Sequence, residues 1–232
     1  MDIGSAFTYM FDDQDWIKKI AIGGGITLAA IILLPILVGL ALFLPLSGYM
    51  LETLKNVRDG RPTPLPEWSN FGDLFVKGLM VFIVGLVYTL PALLFACGST
   101  LTNPQILVAI APEIDPDVVN SLSIISTCLS CIQFIFSILG SALVPAGLIR
   151  YAQYGTLGAA FQFGEIFSFI RNNIGDYIIV FLLSFVANLI AIFGIILCIV
   201  GVLFTGFWSV LVNANLYGQL ARKASSSPQP AM

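Results

Sequence analysis

The sequence predicts an all-α fold, a polytopic helical membrane bundle, and three observations carry that prediction. Four stretches hold no charged residue: Ile20–Leu51, Gly78–Pro112, Val118–Ile149 and Tyr177–Ala221, of 32, 35, 32 and 45 residues. About 20 mostly apolar residues cross a bilayer, so each stretch suffices for one crossing and the last for two. Only 10% of the 232 residues are charged and the mean hydropathy is +0.96, whereas a soluble domain carries about 25% charged residues. The apolar runs are continuous, which argues against the alternating strands of a membrane β-barrel.

Five to six membrane segments plus interfacial amphipathic helices are expected, in a single membrane domain over 1–221. Residues 1–19 read as an amphipathic helix lying on the membrane, with Phe7 and Phe11 on one face at i, i+4. Trp16 beside Lys18 and Lys19 reads as an interface anchor. The start lacks the basic head and short apolar core of a signal peptide, so a retained helix is expected to lead insertion.

The run 20–51 would span roughly 48 Å as one helix, against a hydrocarbon core of about 30 Å. Two readings remain: a hairpin broken near Pro35, or one long span. Segment 52–77 is polar, and Pro62-Thr63-Pro64-Leu65-Pro66 is expected to be extended. Trp68 is expected at interface depth, Asn70 as a helix cap and Asp73 in the following first turn. Residues 76–97 form the next span, with Pro91 a kink.

Residues 98–117 read as a loop holding Pro104, Pro112 and Pro116, whose only charges are Glu113, Asp115 and Asp117. Then come the span 118–149 and a mixed connector 150–176, partly helical along the surface. Spans 177–199 and 202–221 follow, with a tight turn near 198–201. Residues 222–232 are expected to be a disordered tail.

Basic residues prefer the cytoplasmic side. Lys55, Arg58, Arg61 and Lys77 put 52–77 inside, Arg150 and Arg171 do so for 150–176, and Arg222 and Lys223 for the C-terminus. Segment 98–117 has no basic residue and faces out. Lys18 and Lys19 place the N-terminus inside, which requires the hairpin reading of 20–51. A weak repeat pairs Phe71-Gly72-Asp73-Leu74-Phe75 with Phe163-Gly164-Glu165-Ile166-Phe167. It favours the single-span reading of 20–51.

Little chemistry is offered by the residue inventory. There is no histidine, which removes the commonest general base and metal ligand. Cys128-Leu-Ser-Cys131 has the C-x-x-C spacing but no second pair, so it reads as buried small side chains rather than a zinc site. The apolar runs hold no Asp, Glu, Lys or Arg, which argues against a proton-coupled carrier or pump. No catalytic, cofactor-binding or metal residues are assigned, and no cofactor is expected. The net charge of −3 offers no basic surface for nucleic acid.

The candidate membrane-interface or partner residues are Trp16, Lys18, Lys19, Glu67, Trp68, Phe71, Asp73, Arg150, Phe163, Glu165 and Arg171. Ser123, Ser126, Ser130, Gln133, Ser137 and Ser141 form a polar stripe at helical spacing. It reads as a close-packing seam in preference to a pore lining.

Asp15-Trp16-Ile17-Lys18-Lys19, Gly48-Tyr49, Leu65-Pro66-Glu67-Trp68, Arg150-Tyr151-Ala152 and Leu216-Tyr217-Gly218-Gln219-Leu220 are among the short segments that stand out along the chain. Together these segments, spread over about 2–221, resemble a prokaryotic membrane family, domain of unknown function 4013. The resemblance implies a multi-helix membrane fold and supplies no activity. A distant similarity of layout to membrane domains that accompany some glycerophosphodiesterases implies a scaffold or lipid-facing role. The expected function is a non-enzymatic scaffold, anchor or partner subunit of the prokaryotic cell membrane, acting through its cytoplasmic connectors. Its expected partners are membrane lipids and other membrane or cytoplasmic proteins. The alternative is a transporter or lipid-binding protein for neutral or lipid-like molecules.

Overall fold

A computed structural model describes residues 1–111 and 113–226. Among them every regular element is helical. In chain order these are α1 (Ile3–Thr8), α2 (Trp16–Ile32), α3 (Val38–Arg58), α4 (Phe71–Leu101), α5 (Pro104–Ile110), α6 (Pro116–Tyr154), α7 (Leu157–Ala160), α8 (Phe163–Asn172), α9 (Ile174–Ile192) and α10 (Cys198–Ser226). Short 3-10 turns fall at Tyr9–Asp12, Leu34–Ile36 and Phe193–Leu197. Three stretches are long and apolar enough to cross a membrane: Phe71–Leu101, Pro116–Tyr154 and Ile174–Ile196. By contacts the chain forms two compact units, one from Met1–Val84 together with the chain from Ala146, the other Gly85–Pro145.

In the first unit α2 stops at Ile32, because Pro35 has no N–H to continue the helix and its ring crowds the preceding turn. Leu37 turns the chain at φ 64° and α3 starts at once. The turn is tight enough that a Cβ on Gly39 would lie 2.1 Å from the Ala30 carbonyl oxygen. α2 and α3 then pack on each other, and α10 packs on α2, α3 and α9. Tyr49, Leu51, Leu54, Ile149, Leu211, Leu216 and Leu220 are fully buried among them.

The closest approach joins α3 to the start of α4. A Cβ on Gly48 would stand 1.8 Å from the Leu74 carbonyl oxygen, and one on Gly78 would stand 1.7 Å from that of Leu44. Small residues permit such backbone contact between membrane helices, where apolar side chains gain little by leaving lipid for protein. Outward faces stay apolar. Ile178, Leu182, Phe185 and Leu189 are all exposed along α9, as a lipid-facing surface requires.

The second unit holds the later part of α4, α5 and the first thirty residues of α6. Asn103 caps α5, its side chain accepting from the Gln105 N–H at 2.9 Å. The rings of Phe95 and Phe136 stack at 5.4 Å.

Several expectations need correcting. Residues 1–19 do not form one helix, because the Asp13 carboxylate accepts the Asp15 N–H at 2.8 Å and α2 begins only at Trp16. Phe7 packs on Trp208 and Phe11 edge-on against Trp16, so the two do not share a face. α4, with Pro91 inside it, runs on past the expected end at 97 to Leu101, and α5 occupies much of the expected 98–117 loop. Pro112 of that loop lies outside the described residues.

The break in 177–221 falls at Phe193–Leu197, earlier than expected, where the Thr205 hydroxyl donates to the Ala191 carbonyl at 2.8 Å. The expected disorder from 222 does not hold for 222–226. α10 continues to Ser226, with Lys223 paired to Asp176 at 2.6 Å. The rest of the expected tail, 227–232, lies outside the described residues.

Candidate functional site

The connectors fold into a knitted polar layer, and its centre is Lys19. The lysine opens α2 and is only 4% exposed. Its ammonium has three hydrogens to place. It donates to the Asp13 carboxylate at 2.9 Å and to the Leu65 carbonyl at 3.3 Å, and pairs with Glu67 at 2.6 Å. The Asp13 side chain is also nearly buried.

Burial alone would lower the Lys19 pKa. Hydrogen bonds to Glu67 and Asp13 outweigh it and hold the pKa above its ordinary value. Asp13 and Lys19 are six apart, a spacing that no single helix face brings together, and the break before α2 does so here.

Leu65, Pro66, Glu67 and Trp68 form the strap that reaches this lysine. Three prolines deny the segment a helix, and Asn56 ties it to α3 by donating to the Pro64 carbonyl at 2.8 Å. Trp68 is 7% exposed. Its indole N–H donates to the Lys19 carbonyl at 3.0 Å and its ring stacks on Tyr49 at 4.3 Å. Phe207 of α10 closes the aromatic cluster.

A second cluster surrounds Arg150, which α6 holds 7% exposed. Its guanidinium donates to the Ala159 carbonyl at 3.2 Å and to Gln162 at 2.8 Å, with Glu165 at 3.6 Å and the Tyr154 ring beneath.

The two five-residue repeats adopt one pattern. Each opens a helix, buries its fourth residue (Leu74, Ile166) and exposes its aromatics (Phe71 and Phe75, Phe163 and Phe167). Each acid has its own cation: Asp73 pairs with Lys77, which also reaches Glu52 at 2.7 Å, and Glu165 faces Arg150.

Of the predicted site residues, Lys19, Glu67 and Trp68 therefore meet in one cluster, and Arg150 and Glu165 in another. Trp16 is half-buried against Phe11, while Lys18, Phe71, Asp73, Phe163 and Arg171 are exposed. Sequence reasoning missed Asp13, Tyr49 and Phe207. Asp13 was one of four similar N-terminal acids, and nothing local marks it as the buried one.

The expected serine stripe is only partly a seam. Ser126 is buried and donates to the Ser99 carbonyl at 3.0 Å, and Ser99 reaches Gln133 at 3.4 Å. The rest of the contact face is Leu129, Phe136 and Gly140, the last set so close that its Cβ would meet the Tyr88 carbonyl at 2.8 Å. Ser130, Ser137 and Ser141 are exposed and Ser123 is half-buried. The stripe drifts around the helix and leaves the seam after Gln133. Ser126→Ala is expected to destabilise by about 1 kcal/mol, in the range of interhelical hydrogen bonds in membranes. Ser137→Ala should leave the unfolding midpoint unchanged.

A polar cleft of about 520 Å³ lies between the N-terminal arm, the turn after α3 and α10. The turn is a Schellman motif: the Gly60 N–H donates to the Val57 carbonyl and the Arg61 N–H to that of Asn56. Gly60 sits at φ 71°, and the Arg222 guanidinium lies 3.3 Å from where its Cβ would be. Gln219 grips the backbone of Asp2 from both sides, accepting from its N–H at 2.7 Å and donating to its carbonyl at 2.9 Å. The sequence flagged Arg61 and Arg222 for orientation alone.

Among the described residues no group of His, Cys, Asp or Glu is arranged to hold a metal ion. Cys128 and Cys131 are exposed free thiols, not buried side chains.

Among the described residues the protein is all-helical, with three helices long and apolar enough to cross a membrane. The sequence profile of the family described as Protein of unknown function (DUF4013) matches residues 28–200, three-quarters of the chain, and the chain belongs to that family. No curated protein and no solved structure matches it. The matched stretch includes the strap and Arg150 but not Asp13, Lys19 or the cleft wall of α10. The resembling pieces at 15–19 and 216–220 also fall outside it.

Proposed function

We propose that the protein is a non-enzymatic, multi-pass protein of a prokaryotic cell membrane that serves as a scaffold, anchor or partner subunit. In this reading five to six segments lie in the membrane. The α2–α3 pair enters and returns on the cytoplasmic side, α4 and α6 form a second hairpin, and α9 and α10 a third. The polar layer then faces the cytoplasm and α8 lies along the inner leaflet.

One observation carries the reading. All seven ion pairs among the described residues belong to the connectors assigned to the inside, and none to 98–117. At the strap, Lys19 and Trp68 are taken up by internal contacts, whereas Glu67 stays exposed. The face of α8 that carries Phe163, Phe167 and Arg171 is exposed, and a partner or the leaflet would meet it there.

A nanodisc purification with mass spectrometry tests this. Native protein is expected to retain a defined protein partner that Phe163→Ser with Phe167→Ser releases without changing the unfolding midpoint. A partner set unchanged by that pair, or no partner on the native protein, contradicts it. The second reading, a transporter or lipid-binding protein, draws its support from the polar cleft.

A further inference from the structure

We propose that the cleft between the N-terminal arm, the turn after α3 and α10 is a binding site for a phosphate group. Arg61 and Arg222 both line it, and neither side chain makes a hydrogen bond or ion pair among the described residues. Lys18, Lys55 and Arg171 likewise hold no carboxylate, but of these five cations only Arg61 and Arg222 line this cleft. Lys19, Arg58, Lys77, Arg150 and Lys223 each hold a carboxylate.

The local fold brings these two guanidiniums to one place. The Schellman turn fixes where Arg61 leaves α3, its φ of 71° at position 60 favours glycine, and the Arg222 guanidinium lies against that glycine. Like charges brought to one wall repel, and an anion between them removes the repulsion. Guanidinium forks bind phosphate oxygens in pairs, which suits this wall better than a single point charge would. The turn also satisfies the last carbonyls of α3, so few of them compete with an anion there.

Asn215 and Gln219 line the α10 wall, where the Gln219 amide is engaged by Asp2 and Asn215 and holds the arm in place, and Asp12 stands on that arm. That acid favours a ligand with a hydroxyl or ammonium group beside its phosphate. The volume falls within the usual range for small-molecule sites, about 300–1,000 Å³. Two sources share this chemistry: a phospholipid headgroup and a soluble phosphate compound. The lipid source rests on the inward orientation proposed above, and the soluble source does not.

The test uses the full chain in a maltoside detergent, which holds no phosphate, with the unfolding midpoint as readout. One arm adds pyrophosphate, and the other adds phosphatidylglycerol to the micelles. At least one probe is expected to raise the midpoint of the native protein, as binding to the folded state must. Arg61→Gln with Arg222→Gln should weaken that response by about 100-fold, roughly tenfold per charge-assisted contact. Arg61→Lys with Arg222→Lys should keep most of it, and Lys18→Gln, outside the cleft, all of it. A response to pyrophosphate alone assigns a soluble ligand, and a response to phosphatidylglycerol alone assigns a headgroup. No response to either probe, or an equal response from the glutamine pair, overturns the proposal.

Discussion

Adding one methyl group at Gly48 is expected to destabilise the protein by about 3 kcal/mol or more, at or beyond the top of the usual range for overpacking. The reason is what the methyl would meet. A Cβ there lies 1.8 Å from the Leu74 carbonyl oxygen, and a backbone atom cannot rotate aside as a side chain can. Relief requires α3 and α4 to separate. That breaks the reciprocal contact at Gly78, whose own Cβ would stand 1.7 Å from the Leu44 carbonyl oxygen. The two substitutions share one contact, so their effects should not add. Gly25→Ala is the control. Nothing lies within 4 Å of its Cβ, and alanine in a helix gains about 0.5–1 kcal/mol over glycine. Thermal unfolding in detergent should therefore move in opposite directions for Gly48→Ala and Gly25→Ala. Equal midpoints would remove the glycine crossing from the account.

Lys19→Met is expected to destabilise by roughly 3–5 kcal/mol, the usual effect of leaving one partner of a buried ion pair behind. The stranded group is Asp13, whose side chain is 8% exposed. Lys18→Met, one residue earlier and fully outside the cluster, should change stability by less than about 0.5 kcal/mol. Glu67→Gln should cost no more than about 1 kcal/mol, because the Glu67 side chain is 62% exposed and water screens its charge. Removing both buried charges with Asp13→Asn and Lys19→Met should restore much of the loss, which a purely steric role for Lys19 would not allow.

The pH dependence has a definite sign. The folded pKa of Lys19 is raised above its ordinary value of 10.5. Its contribution is fully present below 10.5 and is lost as pH rises through the folded value. The gap in unfolding midpoint between native protein and Lys19→Met should narrow above pH 10.5 and stay constant between pH 7 and 9.

The strongest signals in the sequence were those that depend on local chemistry. Continuous uncharged runs marked the helices, Pro35 marked the break between α2 and α3, and the proline-rich 62–66 segment marked the strap. Asn70 accepts the Asp73 N–H at 3.3 Å, as its place before a helix predicts. What the sequence hid depends on distance along the chain. Trp68 looks like any interfacial tryptophan until Tyr49 and Phe207 close over it. Lys19 looks like an anchor until residues 13 and 67 arrive from either side. Glycine spacing shows that helices approach closely but not which ones, so the Gly48–Gly78 crossing was not visible. The serine stripe failed for a related reason, since a polar face drifts around a long helix whereas a packed seam follows its neighbour.

These contacts narrow the surface on which the proposed function can rest. The connectors remain where the charge is, but the most conspicuous residues in them hold the bundle together. The proposed function and ligand site therefore rest on the exposed outer face of α8 and on the arginine-lined cleft.

The direct test of the account is on which side of the membrane the polar layer lies. Gln14→Cys and Gln105→Cys, each in a background without the four native cysteines, place exposed thiols in the layer and in α5. In intact cells a membrane-impermeant thiol reagent is expected to label position 105 and to reach position 14 only after permeabilisation. Labelling of position 14 in intact cells, or protection of position 105, would contradict the inward-facing layer.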